Sequence, residues 1–149
     1  MTTPHPGPVD GGRPTGHRPA AADSTLVRAA RGEPVAHTPV WFMRQAGRSL
    51  PEYRRLREGV GMLESCRRPD LVTEITLQPV RRHGVDAAIF FSDIVVPLQA
   101  VGVDLDIVAG VGPVIERPIR TRADLAQLRD LVPEDVPDII ESVRLLTAE

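Results

Sequence analysis

The sequence predicts an α/β fold with a parallel sheet, incomplete within this chain, and three observations carry that prediction. Two apolar runs, residues 39–43 (PVWFM) and 86–91 (DAAIFF), are continuous rather than alternating. That pattern suits parallel strands buried on both faces. Helix signals lie between and after them, so the order strand, helix, strand, helix reads as βα units. These are the two strong buried-strand patterns in 149 residues, so the chain looks like the start of a larger fold.

Taken in order, residues 1–22 hold Pro4, Pro6, Pro8, Pro14 and Pro19 among Gly7, Gly11, Gly12 and Gly16. Such a segment buries too little apolar surface to offset its ordering entropy and is expected to be a disordered tail. Residues 23–149 form the folded portion. Asp23 and Ser24 are good N-caps for a helix through Leu26, Val27 and Ala30, with Gly32 as its stop. After the first strand run, residues 44–50 read as a loop. Pro51 opens a helix that Gly59 and Gly61 interrupt. Pro69 and Asp70 start another, which Pro79 is expected to bend or shorten and Gly84 to close. Residues 94–100 read as a short helix bent near Pro97. Residues 103–108 and 113–116 read as a hairpin around Gly110 and Gly112. Thr121 caps a helix expected to reach Leu131, and residues 138–147 form the last helix, with Ile139, Ile140, Val143 and Leu146 near helical spacing.

Composition narrows the function classes. The net charge is −2, so no strong basic field invites nucleic acid. No apolar run is long enough to span a bilayer, and the N-terminus lacks a signal peptide's apolar segment. A single cysteine, Cys66, excludes an internal disulfide. A cytoplasmic protein is expected. All 18 basic residues are arginine, so any one arginine is by default a solvated surface cation.

Two places escape that default. Arg44 and Arg48 flank Gln45, Ala46 and Gly47 directly after the first apolar run. Guanidinium forks grip carboxylates bidentately, so two of them on a tight turn suit an anion with several acidic groups. Asp93 follows the second run. At the carboxyl ends of neighbouring barrel strands both clusters would face one cavity. The alternative is that Asp93 merely caps the helix near Ile94. His5 and His17 in the tail, His37 and His83 near element ends, Cys66 beside Arg67 and Arg68, and the Arg81–Arg82 pair carry no site reading. Trp41 and Tyr53 read as packing residues.

Residues 39–53, PVWFMRQAGRSLPEY, closely resemble the N-terminal signature of the uroporphyrinogen decarboxylase family, joined by Leu77-Gln78-Pro79 and by residues 86–94, DAAIFFSDI. The resemblance covers roughly residues 24–131. Ser49 departs from it, since many relatives have tyrosine there. The resemblance implies a (β/α)8 TIM barrel, of which this chain holds an N-terminal part. It implies removal of the four acetate carboxyls of uroporphyrinogen to give coproporphyrinogen, in haem biosynthesis. No metal or organic cofactor is implied, and the full-length relatives are usually homodimers. Arg44 and Arg48 would bind substrate carboxylates, Gln45, Ala46 and Gly47 would shape the loop, and Arg44 is a candidate proton donor. Asp93 would accept hydrogen bonds from the pyrrole N–H groups. The family's later tyrosine, serine and histidine motifs have no counterpart here, so the chain alone is expected to have little or no decarboxylase activity. Two alternatives stand beside this reading: a truncated, non-catalytic tetrapyrrole-binding protein, and a related zinc-dependent barrel methyltransferase.

Overall fold

The structure, a computed structural model, describes residues 21–43 and 48–149. After a 3-10 turn at Ala21–Asp23, helix α1 spans Thr25–Ala30. The Ser24 hydroxyl accepts the Val27 N–H at 3.3 Å, as the cap signal predicts. Helices α2 (Pro51–Leu56), α3 (Met62–Cys66) and α4 (Pro69–His83) follow. Proline opens α2 and α4, where a missing N–H leaves no bond unmade. Asp70 in the first turn of α4, and Arg81, Arg82 and His83 in its last, complement the helix dipole. Gly84 closes α4 at φ +64, a left-handed conformation that strains any side chain. Helix α5 (Val96–Ala100), strands β1 (Leu105–Val108) and β2 (Gly112–Ile115), α6 (Arg122–Leu125) and α7 (Pro137–Ala148) complete the order.

Helix α4 organises the core. Leu71, Val72 and Ile75 on its buried face join Leu63 and Cys66 of α3, Phe91, and Val95 and Val96 at the start of α5. Val103 and Leu105 close the cluster from the hairpin side, and α7 packs along α4. Phe91 is fully buried, which stabilises the fold by about 1.5–3 kcal/mol relative to exposure. The hairpin is antiparallel, with Leu105 opposite Ile115 and Val108 opposite Gly112. β1 alternates, with Leu105 buried and Asp106 exposed, so one face meets the core.

Two expectations are corrected, and of the two effects expected at Pro79, bending or shortening, the shortening is set aside. The two runs read as parallel strands form no sheet, and among the described residues the hairpin is the sheet present. Parallel strands need neighbours and cover on both faces, whereas Val40, Trp41, Phe42 and Met43 are 41–61% exposed. The helix capped by Thr121 ends at Leu125 rather than Leu131. Beyond it, Arg129 is drawn to the end of α5: its N–H donates to the Val101 carbonyl at 3.3 Å, and Nη2 donates to Ala100 O at 2.5 Å. Its Nη1 also pairs with Asp135. Finally, Pro79 does not shorten α4, which runs on to His83. Packing against the core and α7 sustains the helix past a residue that cannot donate.

Candidate functional site

The site expected from the sequence consists of a loop and an aspartate, and the structure describes part of it. Arg44, Gln45, Ala46 and Gly47 lie outside the described residues. Arg48 is exposed, just upstream of α2. Asp93 is half-buried, and its Oδ1 accepts the Val95 N–H at 3.1 Å while its carbonyl accepts the Val96 N–H at 3.2 Å. The aspartate therefore caps the turn into α5, as one of the two sequence readings expects. That contact occupies one carboxylate oxygen. Oδ2 takes part in no hydrogen bond among the described residues. Among the described residues no ion pair joins Arg48 to Asp93.

A shared packing unit lies between them. Phe91, two positions before Asp93, donates its backbone N–H to Thr76 Oγ1 of α4 at 2.9 Å, within the core. Its ring meets Tyr53 of α2 edge-on, with centroids 6.2 Å apart, and the Arg57 guanidinium lies 5.9 Å from its centroid. Such aromatic and cation–π contacts each contribute roughly 0.5–1.5 kcal/mol. Tyr53 thus packs as the sequence reading expects, whereas Trp41 is 47% exposed and lies outside the core. Because α2 begins three residues after Arg48, one interlocked unit anchors the chain beside both motifs.

A second joint lies at the other end of the two runs. The Asp86 N–H donates to the Val40 carbonyl at 2.8 Å. In return, Asp86 Oδ2 accepts the Val40 N–H at 2.8 Å, and Oδ1 lies 2.8 Å from His37 Nε2. The hydrogen bond from Val40, followed by the one from His37, holds the Asp86 carboxyl below the usual carboxylate range. Farther along the first run, the Phe42 and His83 rings meet edge-on at 5.4 Å.

Sequence reasoning missed both Asp86 and Arg57. Asp86 carried one usable signal, a carboxylate at the head of an otherwise apolar run. Arg57 lies four residues after Tyr53, a spacing that puts both on one helix face. Its Nη1 donates to Gly61 O at 3.3 Å and also contacts Ser65 Oγ. Among the described residues no group of three or more His, Cys, Asp or Glu side chains is arranged to hold a metal ion. No described helix is long and apolar enough to cross a membrane.

The fold recurs as part of a larger solved chain. It superposes on a methyltransferase from Methanosarcina mazei with a TM-score of 0.53, over 83% of this chain and 37% of that one. At 18% identity, the likeness is one of fold alone.

The sequence then fixes the family. The profile for uroporphyrinogen decarboxylase (URO-D) matches residues 21–149, a longer stretch than the motifs alone marked out. The uroporphyrinogen decarboxylase of Streptomyces avermitilis is 72% identical over 135 residues, covering 91% of this chain and 38% of the relative. That of Streptomyces coelicolor is 71% identical over 137 residues, covering 91% and 39%. That of Salinispora tropica is 65% identical over 140 residues, covering 93% and 38%. The chain belongs to the uroporphyrinogen decarboxylase family, and it spans 38–39% of the length of these relatives.

Proposed function

We propose that this chain supplies the substrate-gripping, N-terminal part of a cofactor-independent uroporphyrinogen decarboxylase, built as part of a (β/α)8 barrel. The observation that carries the reading is the match over residues 21–149, which contains both the arginine loop and the aspartate run. Residues 23–149 form the N-terminal portion of that barrel, and residues 1–22 precede it as a tail. Arg44 and Arg48 bind the acidic arms of the tetrapyrrole, and Gln45, Ala46 and Gly47 shape the loop. Asp93 accepts from the pyrrole N–H groups, and Arg44 is the candidate proton donor. The complete enzyme is a cytoplasmic homodimer.

The chemistry gives each residue its task. Loss of carbon dioxide from an acetate arm leaves an electron pair that needs a sink. Protonation of the adjacent pyrrole carbon makes the ring cationic and provides that sink. A fixed carboxylate near the pyrrole nitrogens stabilises the cation more than the neutral ring, so it lowers the barrier rather than merely tightening binding. Arginines on the unreacting carboxylates hold the reacting arm in place. The Asp93 geometry supports this, since capping uses Oδ1 and no described group takes Oδ2.

The test is turnover of uroporphyrinogen, followed as coproporphyrinogen formed. The 149-residue chain is expected to show none, and the same sequence joined to the remaining length of the Streptomyces avermitilis relative is expected to be active. Asp93→Asn in the joined protein should lower kcat by about 10²–10³-fold with folding retained. Unchanged turnover in that variant removes Asp93 from the mechanism.

A further inference from the structure

We propose that Asp86 is a positioning residue, a latch that aligns the segment leading to the arginine loop with the segment leading to Asp93. The inference rests on the function proposed above and extends it to a residue outside the two motifs. Asp86 heads the second apolar run, and Val40 lies near the head of the first. Two reciprocal bonds of 2.8 Å join them: backbone N–H of Asp86 to the Val40 carbonyl, and Val40 N–H to the Asp86 carboxylate. One backbone bond and one backbone-to-carboxylate bond between the same two residues close a ring, which fixes translation along the chain as well as separation. The second carboxylate oxygen holds the His37 imidazole at 2.8 Å, just upstream of Val40. One side chain thus grips the first segment at two points.

The latch matters because the first segment has little else to hold it. Trp41, Phe42 and Met43 are 41–61% exposed, and Phe42 touches His83 at a ring edge. The second segment is hung on α4 through Phe91 and Thr76 and needs no such help. Arg44 comes four positions after Val40, and Asp93 seven positions after Asp86. Fixing the two heads side by side therefore sets the common starting point of the segment that leads to the arginine loop and the one that leads to Asp93. Asp86 is 18% exposed at its side chain, and its bonds already satisfy both oxygens, so it acts through what it holds rather than on substrate.

The lone tryptophan, Trp41, stands next to Val40 and reports on the segment. Uroporphyrin, the stable oxidised form of the substrate, absorbs where indole emits, so its binding quenches Trp41. Titration of the 149-residue chain with uroporphyrin is the binding test, with amide exchange at Val40 as a ligand-free readout and circular dichroism as the check on folding. Asp86→Ala should weaken uroporphyrin binding about tenfold and accelerate Val40 exchange, with helix content unchanged. Asp86→Asn keeps an acceptor for Val40 N–H and should restore most of both. Asp86→Leu fills similar space without an acceptor and should behave like Asp86→Ala in both readouts, an outcome that a purely space-filling role would not give. If Asp86→Ala folds, exchanges Val40 as slowly as the parent and binds uroporphyrin equally, the latch is overturned. Faster Val40 exchange in Asp86→Ala without any change in binding also overturns it, since the latch would then position nothing. If the parent chain itself fails to bind uroporphyrin while Val40 exchange still depends on Asp86, the function proposed above fails and the joint remains a structural fact.

Discussion

The two apolar runs are alike in sequence and unlike in structure. In the second, Phe91 is fully buried, bonded to Thr76 and covered by Tyr53 and Arg57. In the first, Val40, Trp41, Phe42 and Met43 stand 41–61% exposed and are tied down at Asp86 and His83. The difference teaches that a continuous apolar run encodes a demand for cover on both faces, while the cover itself is supplied from elsewhere in the fold. Helices α2 and α4 supply it at Phe91, the end of the second run, while the first run is held at Asp86 and by the edge of His83.

The sharpest way to break the contrast is Phe91→Ala. It removes a fully buried ring and is expected to lower stability by about 3–5 kcal/mol in urea denaturation. Thr76→Val should follow, at about 1–3 kcal/mol, because it removes the hydroxyl that accepts the buried Phe91 N–H. Phe42→Ala, on the exposed run, should lower stability by no more than about 1 kcal/mol, since much of that ring is already in water. A Phe42→Ala loss as large as that of Phe91→Ala would erase the distinction between the runs.

Acid gives the smallest and most local effect. The carboxyl of Asp86 is held below its ordinary value by the Val40 N–H and then by His37. A carboxyl depressed in the folded state binds its proton more readily when unfolded, so its contribution is complete above the unfolded value of about 3.9. That contribution fades as pH falls through the lower, folded value. Amide exchange corrected for intrinsic rate should therefore show Val40 losing protection in that acid window. Phe91, whose N–H bonds to a hydroxyl that does not titrate there, should lose none by this route. Equal loss at both amides would mean that acid acts on the whole fold and not on the latch.

The same contrast explains what could be read from the sequence. Caps and stops are local, so Ser24, the prolines opening α2 and α4, Gly84, and Thr121 were all visible in the string. The hairpin was visible too, because its turn glycines and alternating β1 lie within a few residues of one another. The absence of a ladder between the two runs was not visible, since it depends on neighbours rather than on the runs themselves. The end of α6 was set by Arg129 reaching back to Ala100, a partner 29 positions away. At the site, the arginine loop and Asp93 were recognised as a pattern, whereas Asp86 was not. Its partners lie 46 and 49 positions upstream, and no spacing rule links them.

The central claim is that one tetrapyrrole engages both the arginine loop and the aspartate turn. Nuclear magnetic resonance titration with uroporphyrin, following the amides of Arg48 and Asp93 together, tests it most directly. The account predicts that both signals shift along curves with a common midpoint. A shift at Arg48 that saturates while Asp93 stays still would contradict it.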